Sequence, residues 1–198
     1  TYSLIVSMMM LLPLLLGTAI ATPILKAFKG DFVKMHQFCY AMEGVGGLIL
    51  IVTQLLGILP KVPVIFFFSM LLMSTFIGVN FIPGQQIEME VMDYTIYTTG
   101  KDRSALTGVL GTFLNKGQSA LAAALVGSIL IAVGYQVDSV TGNYIGDLAN
   151  MPTLLTWMIV IIGLIPAILS FVSVMILNKY PVTPEERVKV AEFIKEHQ

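Results

Sequence analysis

Five long apolar stretches, separated by short polar connections, run along the 198-residue chain. A helix that crosses a lipid bilayer needs about 20 consecutive, mostly apolar residues, and each stretch reaches that length. The predicted spans are residues 3–25, 35–57, 62–82, 104–135 and 152–178. Prolines and glycines inside them are compatible with spanning helices, because neighbouring helices satisfy the backbone groups that they free. The pattern therefore predicts an all-α, polytopic membrane helix bundle over residues 1–178.

Composition supports a membrane protein and narrows the classes of function. Charged residues make up 12% of the chain and hydrophobic residues 56%, whereas soluble domains carry about 25% charged residues. The net charge of −1 excludes a bulk electrostatic attraction to nucleic acid. Cys39 is the single cysteine, and the chain lacks the motifs of nucleotide loops, metal sites and nucleophilic catalysis. We therefore expect no enzyme activity, no metal and no cofactor.

The basic residues lie mostly on one side of the predicted membrane. Loops rich in lysine and arginine remain in the cytoplasm, so this side is predicted to be cytoplasmic. Its nine basic residues are Lys26, Lys29, Lys34, Lys101, Arg103, Lys179, Arg187, Lys189 and Lys195. The opposite side carries Lys61 alone. Five spans then leave the N-terminus of the chain outside and the C-terminus inside.

The tail, residues 179–198, has the signature of a short amphipathic helix on the cytoplasmic surface. Thr183 is a suitable N-cap, Pro184 fits the first helical position, and Glu186 completes a capping box. The predicted apolar stripe of this charged helix is Val188, Ala191, Phe193 and Ile194.

The fourth predicted span contains a lysine within a stripe of small and polar residues. Residues three and four apart share a helix face, and this face holds Gly108, Thr112, Asn115, Lys116, Ser119, Ala123 and Gly127. A charge at the centre of a bilayer costs about 2.5–3.5 kcal/mol even on lenient scales. The stripe either lines an aqueous cavity, in which Lys116 meets a substrate or a carboxylate, or merely packs helices closely around a lysine that reaches the headgroups. We favour the cavity, because Lys116 lies about 18 Å from the start of the span.

The second predicted span contains Glu43 as a possible buried charge. Glu43 shares a helix face with His36, Tyr40, Gly47 and Gln54. Glu43 lies only about two turns from the cytoplasmic end of the span. Three roles therefore remain open for it: a hydrated structural carboxylate, a partner of a loop lysine, or a proton or cation site. His36, at the edge of the span, is predicted to make a solvated headgroup contact.

The connection 83–103, which begins with Pro83–Gly84 at the predicted end of the third span, is rich in charge. Acidic and basic side chains lie close together there, with Gly100 as a turn residue. They could form an ordinary solvated loop or exchangeable salt bridges that close a cytoplasmic gate, and composition favours neither. The candidate gate residues are Glu90, Asp93, Lys101 and Arg103.

Two motifs resemble those of a known transporter family. The segment MDYTIYTTGKDR, residues 92–103, followed by TFLNKG, residues 112–117, resembles the melibiose-permease type of sugar transporter. These are the glycoside–pentoside–hexuronide:cation symporters of the major facilitator superfamily. The dipeptides Gly134–Tyr135 and Tyr180–Pro181 are also similar to the family. The resemblance covers essentially the whole chain.

The chain departs from the family pattern at two positions. Glu90 stands where aspartate is usual, which keeps the charge, and Asp102 interrupts the usual Lys-Arg pair, which would weaken a gate.

The resemblance implies that the chain is the C-terminal part of a twelve-helix transporter, with its spans as helices eight to twelve. It implies symport of a sugar or glycoside with Na⁺ or H⁺, by alternating access, in a bacterial inner membrane. Lys116, with Asn115, Thr112 and Ser119, would project into a central cavity toward acidic residues of the N-terminal half. That half would also hold most of the coupling-cation site.

Two other classes of function compete with a transporter. A self-contained five-helix channel or scaffold is the alternative, although such a protein would not need a lysine facing a cavity. A membrane-embedded enzyme would have to use Glu43, His36 or Lys116, and no metal-ligand spacing or nucleophile–base pair accompanies them.

The predicted orientation is testable by labelling intact cells. In a background that lacks Cys39, the Asn143→Cys variant is expected to react with a membrane-impermeant thiol reagent applied from outside. The Thr99→Cys variant is expected to remain unlabelled. The reverse pattern would overturn the orientation.

Overall fold

The computed structural model describes residues 2–102 and 104–197, and its regular elements are helices. Their order is α1 Tyr2–Ala27, α2 Phe32–Leu55, α3 Val64–Thr99, α4 Ser104–Ala132, α5 Met151–Ile159, α6 Ile165–Leu177 and α7 Pro184–His197. A 3-10 turn, Leu148–Asn150, precedes α5, and a π-helical turn, Val160–Leu164, joins α5 to α6.

Most of these helices have the length and composition of membrane spans. Four are long and apolar enough to cross a bilayer: Phe32–Leu55, Val64–Thr99, Ala105–Ala132 and Leu148–Leu177. Within α1, a shorter apolar helical stretch covers Leu11–Ala27. The prediction of an all-α membrane helix bundle is therefore confirmed.

Helix α3 is longer than the sequence predicted. Helix α3 continues through Pro83 and Gly84 and is 36 residues long, so these two residues do not end the helix, whereas the predicted end of the membrane span at residue 82 stays a prediction. At about 1.5 Å per residue it measures about 54 Å, well beyond the ~30 Å hydrocarbon core. Pro83 is fully buried, and packed neighbours make a proline tolerable inside a membrane helix. The helix ends at Gly100, whose φ of 66° is left-handed and whose N–H bonds the carbonyl of Ile96.

Helix α3 is also the centre of the bundle. Helices α1, α2 and α7 pack against it, and α2 packs in turn against α6 and the π-helical turn. One buried apolar cluster lies where α1, α2 and α3 meet, and consists of Ala21, Met35, Cys39 and Val79. A second cluster joins α2, α3 and α5, and consists of Leu50, Ile51, Leu59, Met73 and Ile159.

Glycines bring α1 and α3 into backbone contact. A Cβ atom added at Gly17 would collide with the backbone of Thr75, and one added at Gly78 would collide with the backbone of Leu14. Thr18 Oγ1 donates a hydrogen bond to the Gly78 carbonyl at 3.4 Å across the same crossing. Small residues at such positions are what allows membrane helices to approach closely.

A second close crossing lies between α2 and the π-helical turn. A Cβ atom at Gly47 would collide with the carbonyl oxygen of Gly163. The turn itself is defined by a bond from the Ile165 N–H to the Val160 carbonyl, five residues back. It stands directly before Pro166, which has no N–H to continue the ordinary ladder.

Helix α7 begins with the predicted capping box. The Thr183 N–H donates to Glu186 Oε2 at 2.8 Å, and the Glu186 N–H donates to Thr183 Oγ1 at 3.2 Å. The bond from the Thr183 N–H holds the pKa of Glu186 below its usual value.

The apolar stripe predicted for α7 is partly wrong. Val188 is 58% exposed and Ala191 is exposed as well, whereas Val190 is only 4% exposed. The ring of Phe193 packs against Tyr97 of α3, with ring centroids 5.4 Å apart. Docking against α3 selects the buried face, and on a helix this short the spacing of apolar residues allowed two faces.

The Gly78→Ala variant tests the crossing of α1 and α3. Its methyl group would meet the backbone of Leu14, which cannot swing aside, so we expect a loss of about 1–3 kcal/mol in stability. Thermal unfolding in detergent measures the loss. Gly84→Ala on the same helix is the matched control, because its Cβ would meet only His36 Cε1 at 3.5 Å. Equal unfolding temperatures for the two variants would contradict the role of Gly78.

Candidate functional site

Helix α4 carries the predicted cavity stripe, and it stands apart from the bundle. None of its described residues is buried. Cβ atoms added at Gly108, Gly111, Gly117 or Gly127 would meet nothing within 4 Å. The helical glycines of α1 and α2, in contrast, all lie at close crossings. Helix α4 therefore presents an uncovered surface, which is compatible both with the wall of a cavity and with the packing of a further helix.

Lys116 borders a shallow groove along α4. The groove measures about 500 Å³ and is lined by Ala105, Gly108, Val109, Thr112, Phe113 and Lys116. Thr112 and Lys116 thus share a face, as their spacing predicted, and the lysine side chain is exposed. None of the lining residues is acidic, so the groove brings no compensating charge to the ammonium group.

The hydroxyl groups of the stripe are bonded to their own helix. Thr112 Oγ1 donates to the Gly108 carbonyl, and Ser119 Oγ donates to the Asn115 carbonyl, both at 2.9 Å. Each hydroxyl oxygen keeps lone pairs that can accept a hydrogen bond. Asn115 and Ser119 are exposed beside Lys116. The stripe therefore offers one cation together with several hydrogen-bonding groups.

A second polar cluster lies inside the bundle, between α2 and α3. His36 Nδ1 is 2.5 Å from Asn80 Oδ1, and Asn80 Nδ2 donates to Glu43 Oε1 at 3.4 Å. The rings of His36 and Tyr40 meet edge to face, with centroids 4.7 Å apart. The structure corrects the headgroup contact expected for His36, because helix packing turns its half-buried ring toward α3. Glu43 has an amide as its partner and not the loop lysine that the sequence allowed.

Other polar residues of α2 bind neighbouring elements in a similar way. Gln37 Nε2 donates to Asn178 Oδ1 at 3.1 Å, just after α6, and Gln54 Nε2 donates to Thr156 Oγ1 of α5 at 2.9 Å. Hydrogen bonds between membrane helices contribute about 0.6–2 kcal/mol each. The polar face of α2 therefore ties this helix to α3, α5 and the end of α6.

Glu90 is the centre of a third cluster, at the end of the bundle that carries α7. Its Oε1 atom lies 2.5 Å from Arg187 Nε, and its Oε2 atom accepts a hydrogen bond from the Tyr180 hydroxyl at 2.6 Å. The Glu90 side chain is 12% exposed and that of Arg187 is 25% exposed, so water screens the pair only weakly. The Nε–H bond does not point at the carboxylate, so the contact is an ion pair without a well-directed hydrogen bond.

Arg187 and Tyr180 extend this cluster to neighbouring elements. The guanidinium group of Arg187 lies over the ring of Phe32, 4.4 Å from its centroid, so Arg187 contacts α2 as well as α3. Burial, together with the bond to the charged Glu90, raises the pKa of Tyr180. The phenol therefore remains a hydrogen-bond donor at physiological pH.

The other candidate gate residues lie beyond Glu90. Asp93 is half-buried on the next turn of α3, and Lys101 is exposed after the end of that helix. Arg103 lies outside the described residues. The described partners of Glu90 are Arg187 and Tyr180, which both belong to the C-terminal segment. Lys101, which follows α3 in sequence, is not among the described partners of Glu90.

Sequence reasoning missed three residues of these clusters: Asn80, Tyr180 and Arg187. A lone amide within an apolar span is the signal that could have identified Asn80, because polar residues in membrane helices are rare and usually paired. Nothing in the sequence links Arg187 to Glu90, since the two positions are far apart. Among the described residues, no group of three or more His, Cys, Asp or Glu side chains is arranged to hold a metal ion.

Comparison with known proteins identifies the family of the chain. Residues 3–184 match the family described as MFS/sugar transport protein. The chain matches no curated protein and no solved structure. The match confirms the superfamily that the motifs indicated, and the narrower likeness to melibiose-permease symporters stays a prediction. Membership, together with helices suited to a bilayer, indicates a membrane-embedded transporter and not an enzyme. The chain therefore belongs to the sugar transport proteins of the major facilitator superfamily.

Proposed function

We propose that the chain is the C-terminal portion of a cation-coupled symporter that moves a sugar or glycoside by alternating access. The observation that carries this proposal is the uncovered polar stripe of α4, with Lys116 beside Thr112, Asn115 and Ser119. The stripe faces a cavity shared with an N-terminal half of the transporter. Two halves that rock around a common site are what alternating access requires.

Charge compensation explains why Lys116 needs this second half. A lysine deep in a membrane protein is stable when it pairs with a carboxylate or lines a water-filled cavity. The groove at Lys116 contains no acid, and Glu43 is engaged with Asn80 in the seam between α2 and α3. Acidic residues of the N-terminal half therefore supply the compensating charge. They also form most of the site for the coupling cation, Na⁺ or H⁺.

The stripe has the chemistry that a sugar would use. A sugar presents many hydroxyl groups, each both a donor and an acceptor of hydrogen bonds. Asn115 offers an amide, and Thr112 and Ser119 offer hydroxyl oxygens, on a face bordered by apolar side chains. A few converging polar groups on an apolar wall are the usual composition of a small-molecule site.

The charges near the end of α3 form a cytoplasmic gate in this proposal. Glu90 and Asp93 lie on the helical extension beyond Pro83, and Lys101 and Arg103 follow it. The end of the bundle that carries α7 is then cytoplasmic, in agreement with the basic residues at that end. The membrane in which the protein resides is, in this proposal, a bacterial inner membrane. Helix α7 holds Glu90 through Arg187, so the C-terminal segment restrains one wall of the gate.

The Lys116→Ala variant, placed in the full-length transporter, tests the cavity. Removing the ammonium group leaves a buried carboxylate unpaired, at a cost of about 3–5 kcal/mol. Cation-coupled uptake is expected to fall by at least about tenfold, since a factor of ten corresponds to only ~1.4 kcal/mol. Uptake of labelled sugar into cells or vesicles measures the effect.

Two further variants make the Lys116 experiment specific. Lys116→Arg keeps the charge without the compact ammonium group, and it should restore uptake only in part. Lys61→Ala removes an exposed lysine between α2 and α3 and should leave uptake unchanged. Coupled uptake close to wild type in Lys116→Ala would reduce Lys116 to a packing residue and remove the basis of the proposal.

The Arg187→Gln variant tests the restraint on the gate. It removes the charged partner of Glu90, which we expect to cost about 1.5–3 kcal/mol and to increase amide hydrogen exchange in α7. A gate biases conformations without touching the ligand, so transport should fall more than sugar affinity. Lys189→Gln, an exposed change on the same helix, is the control. Unchanged exchange in α7, or equal losses of transport and affinity, would contradict a gating role.

A further inference from the structure

We propose that His36, Asn80 and Glu43 form a proton-binding site in the seam between α2 and α3, separate from the Lys116 stripe of α4. Two ionisable side chains inside a membrane bundle are costly, and such residues commonly serve proton transfer. Here they are joined across two helices by one amide, with His36 at 2.5 Å and Glu43 at 3.4 Å from Asn80.

Glu43 points into the bundle and away from the surface of α2 that is left exposed. At about 100° per residue, Val45, Leu48 and Val52 lie on the opposite side of the helix, and all three are exposed. Leu50, on the same side as Glu43, is fully buried. The carboxylate therefore belongs to the interior of the bundle, and it is only partly accessible.

The small number of oxygen atoms in this cluster suits a proton better than a metal cation. The amide directs its N–H toward Glu43 and its oxygen toward His36. A hard cation needs about six oxygen ligands, and whichever way its amide is turned, Asn80 adds at most one oxygen to the two of the Glu43 carboxylate. A proton needs only one oxygen of Glu43.

The Asn80 amide can serve both protonation states of Glu43. In the observed arrangement the carboxylate accepts from the amide N–H, and the amide oxygen requires a proton on His36 Nδ1. When Glu43 gains a proton, its new O–H group needs an acceptor. A half-turn of the amide supplies the oxygen to Glu43 and directs the NH₂ group to His36 Nδ1, whose proton then resides on Nε2. One proton is gained in total, and it remains on Glu43.

The groups around the cluster leave His36 as the basic partner of Glu43. On α2, the other titratable side chains near Glu43 are Cys39 and Tyr40. On α3, the acidic residues begin at Glu88, about two turns beyond Asn80. Helices α5 and α6 and the π-helical turn contain no titratable residue, and α1 contains only Tyr2 and Lys26. Arg187 of α7 is engaged with Glu90. Protonation of Glu43 is therefore coupled mainly to His36, through Asn80.

Infrared difference spectroscopy of the full-length protein in lipid tests the site directly and does not depend on transport. A carboxylic acid carbonyl band is expected to appear as pH falls, and the component of it that belongs to Glu43 is expected to be lost in Glu43→Gln. Glu88→Gln, which removes an exposed glutamate of α3, should retain the band. If Glu43→Gln fails to insert into the membrane, Glu43→Asp is used instead. Aspartate keeps a carboxyl group in a changed position, so the frequency of the carbonyl band should shift. A band unaffected by both substitutions of Glu43 would overturn the proposal.

A double-mutant cycle tests the coupling through the amide. His36→Gln is expected to move the midpoint of the Glu43 band by about 1 pH unit when Asn80 is present. The same substitution in an Asn80→Leu background should move the midpoint far less. An equal displacement in both backgrounds would show that Asn80 does not connect the two groups and would overturn the three-residue site.

Discussion

Helices in a bilayer gain little from burying apolar surface against one another, because the lipid chains they leave are equally apolar. Close packing has to hold them together, and it depends on positions without a Cβ atom. Gly17 and Gly78 bring α1 onto α3, and Gly47 brings α2 onto the π-helical turn at Gly163. The crossing at Gly47 sets the rotation of α2 about its own axis. Its polar face consequently turns inward, and its polar side chains become contacts between helices.

The same physical constraint separates two uses of polar residues. On α2 every amide, imidazole or carboxyl group described above has a partner on a neighbouring element, as expected where water is scarce. On α4 the polar residues lie on an uncovered helix, and Lys116 borders a groove without an acid. The first arrangement stabilises the bundle and can hold a proton, whereas the second has the properties of a surface that faces a cavity.

The length of α3 connects the membrane seam to the cluster at α7. Asn80 and Glu90 lie on one uninterrupted helix, about 15 Å apart along its axis. Asn80 joins α3 to α2, and Glu90 joins it to Arg187 and Tyr180. Buried Pro83 lies between them without ending the helix. The seam and the proposed gate are thus two parts of one continuous helix.

The sequence by itself determined the fold class, the approximate positions of five apolar helices, the capping box of α7 and the shared face of Thr112 and Lys116. Each of these depends on local chemistry or on helical spacing, which a single chain segment contains. Only the tertiary structure decided that α3 continues past Pro83, that Val190 and not Val188 is buried, and that His36 turns toward Asn80. It also brought Arg187 to Glu90. These features depend on which faces meet across residues far apart in the chain, and periodicity within one helix carries no information about its neighbours.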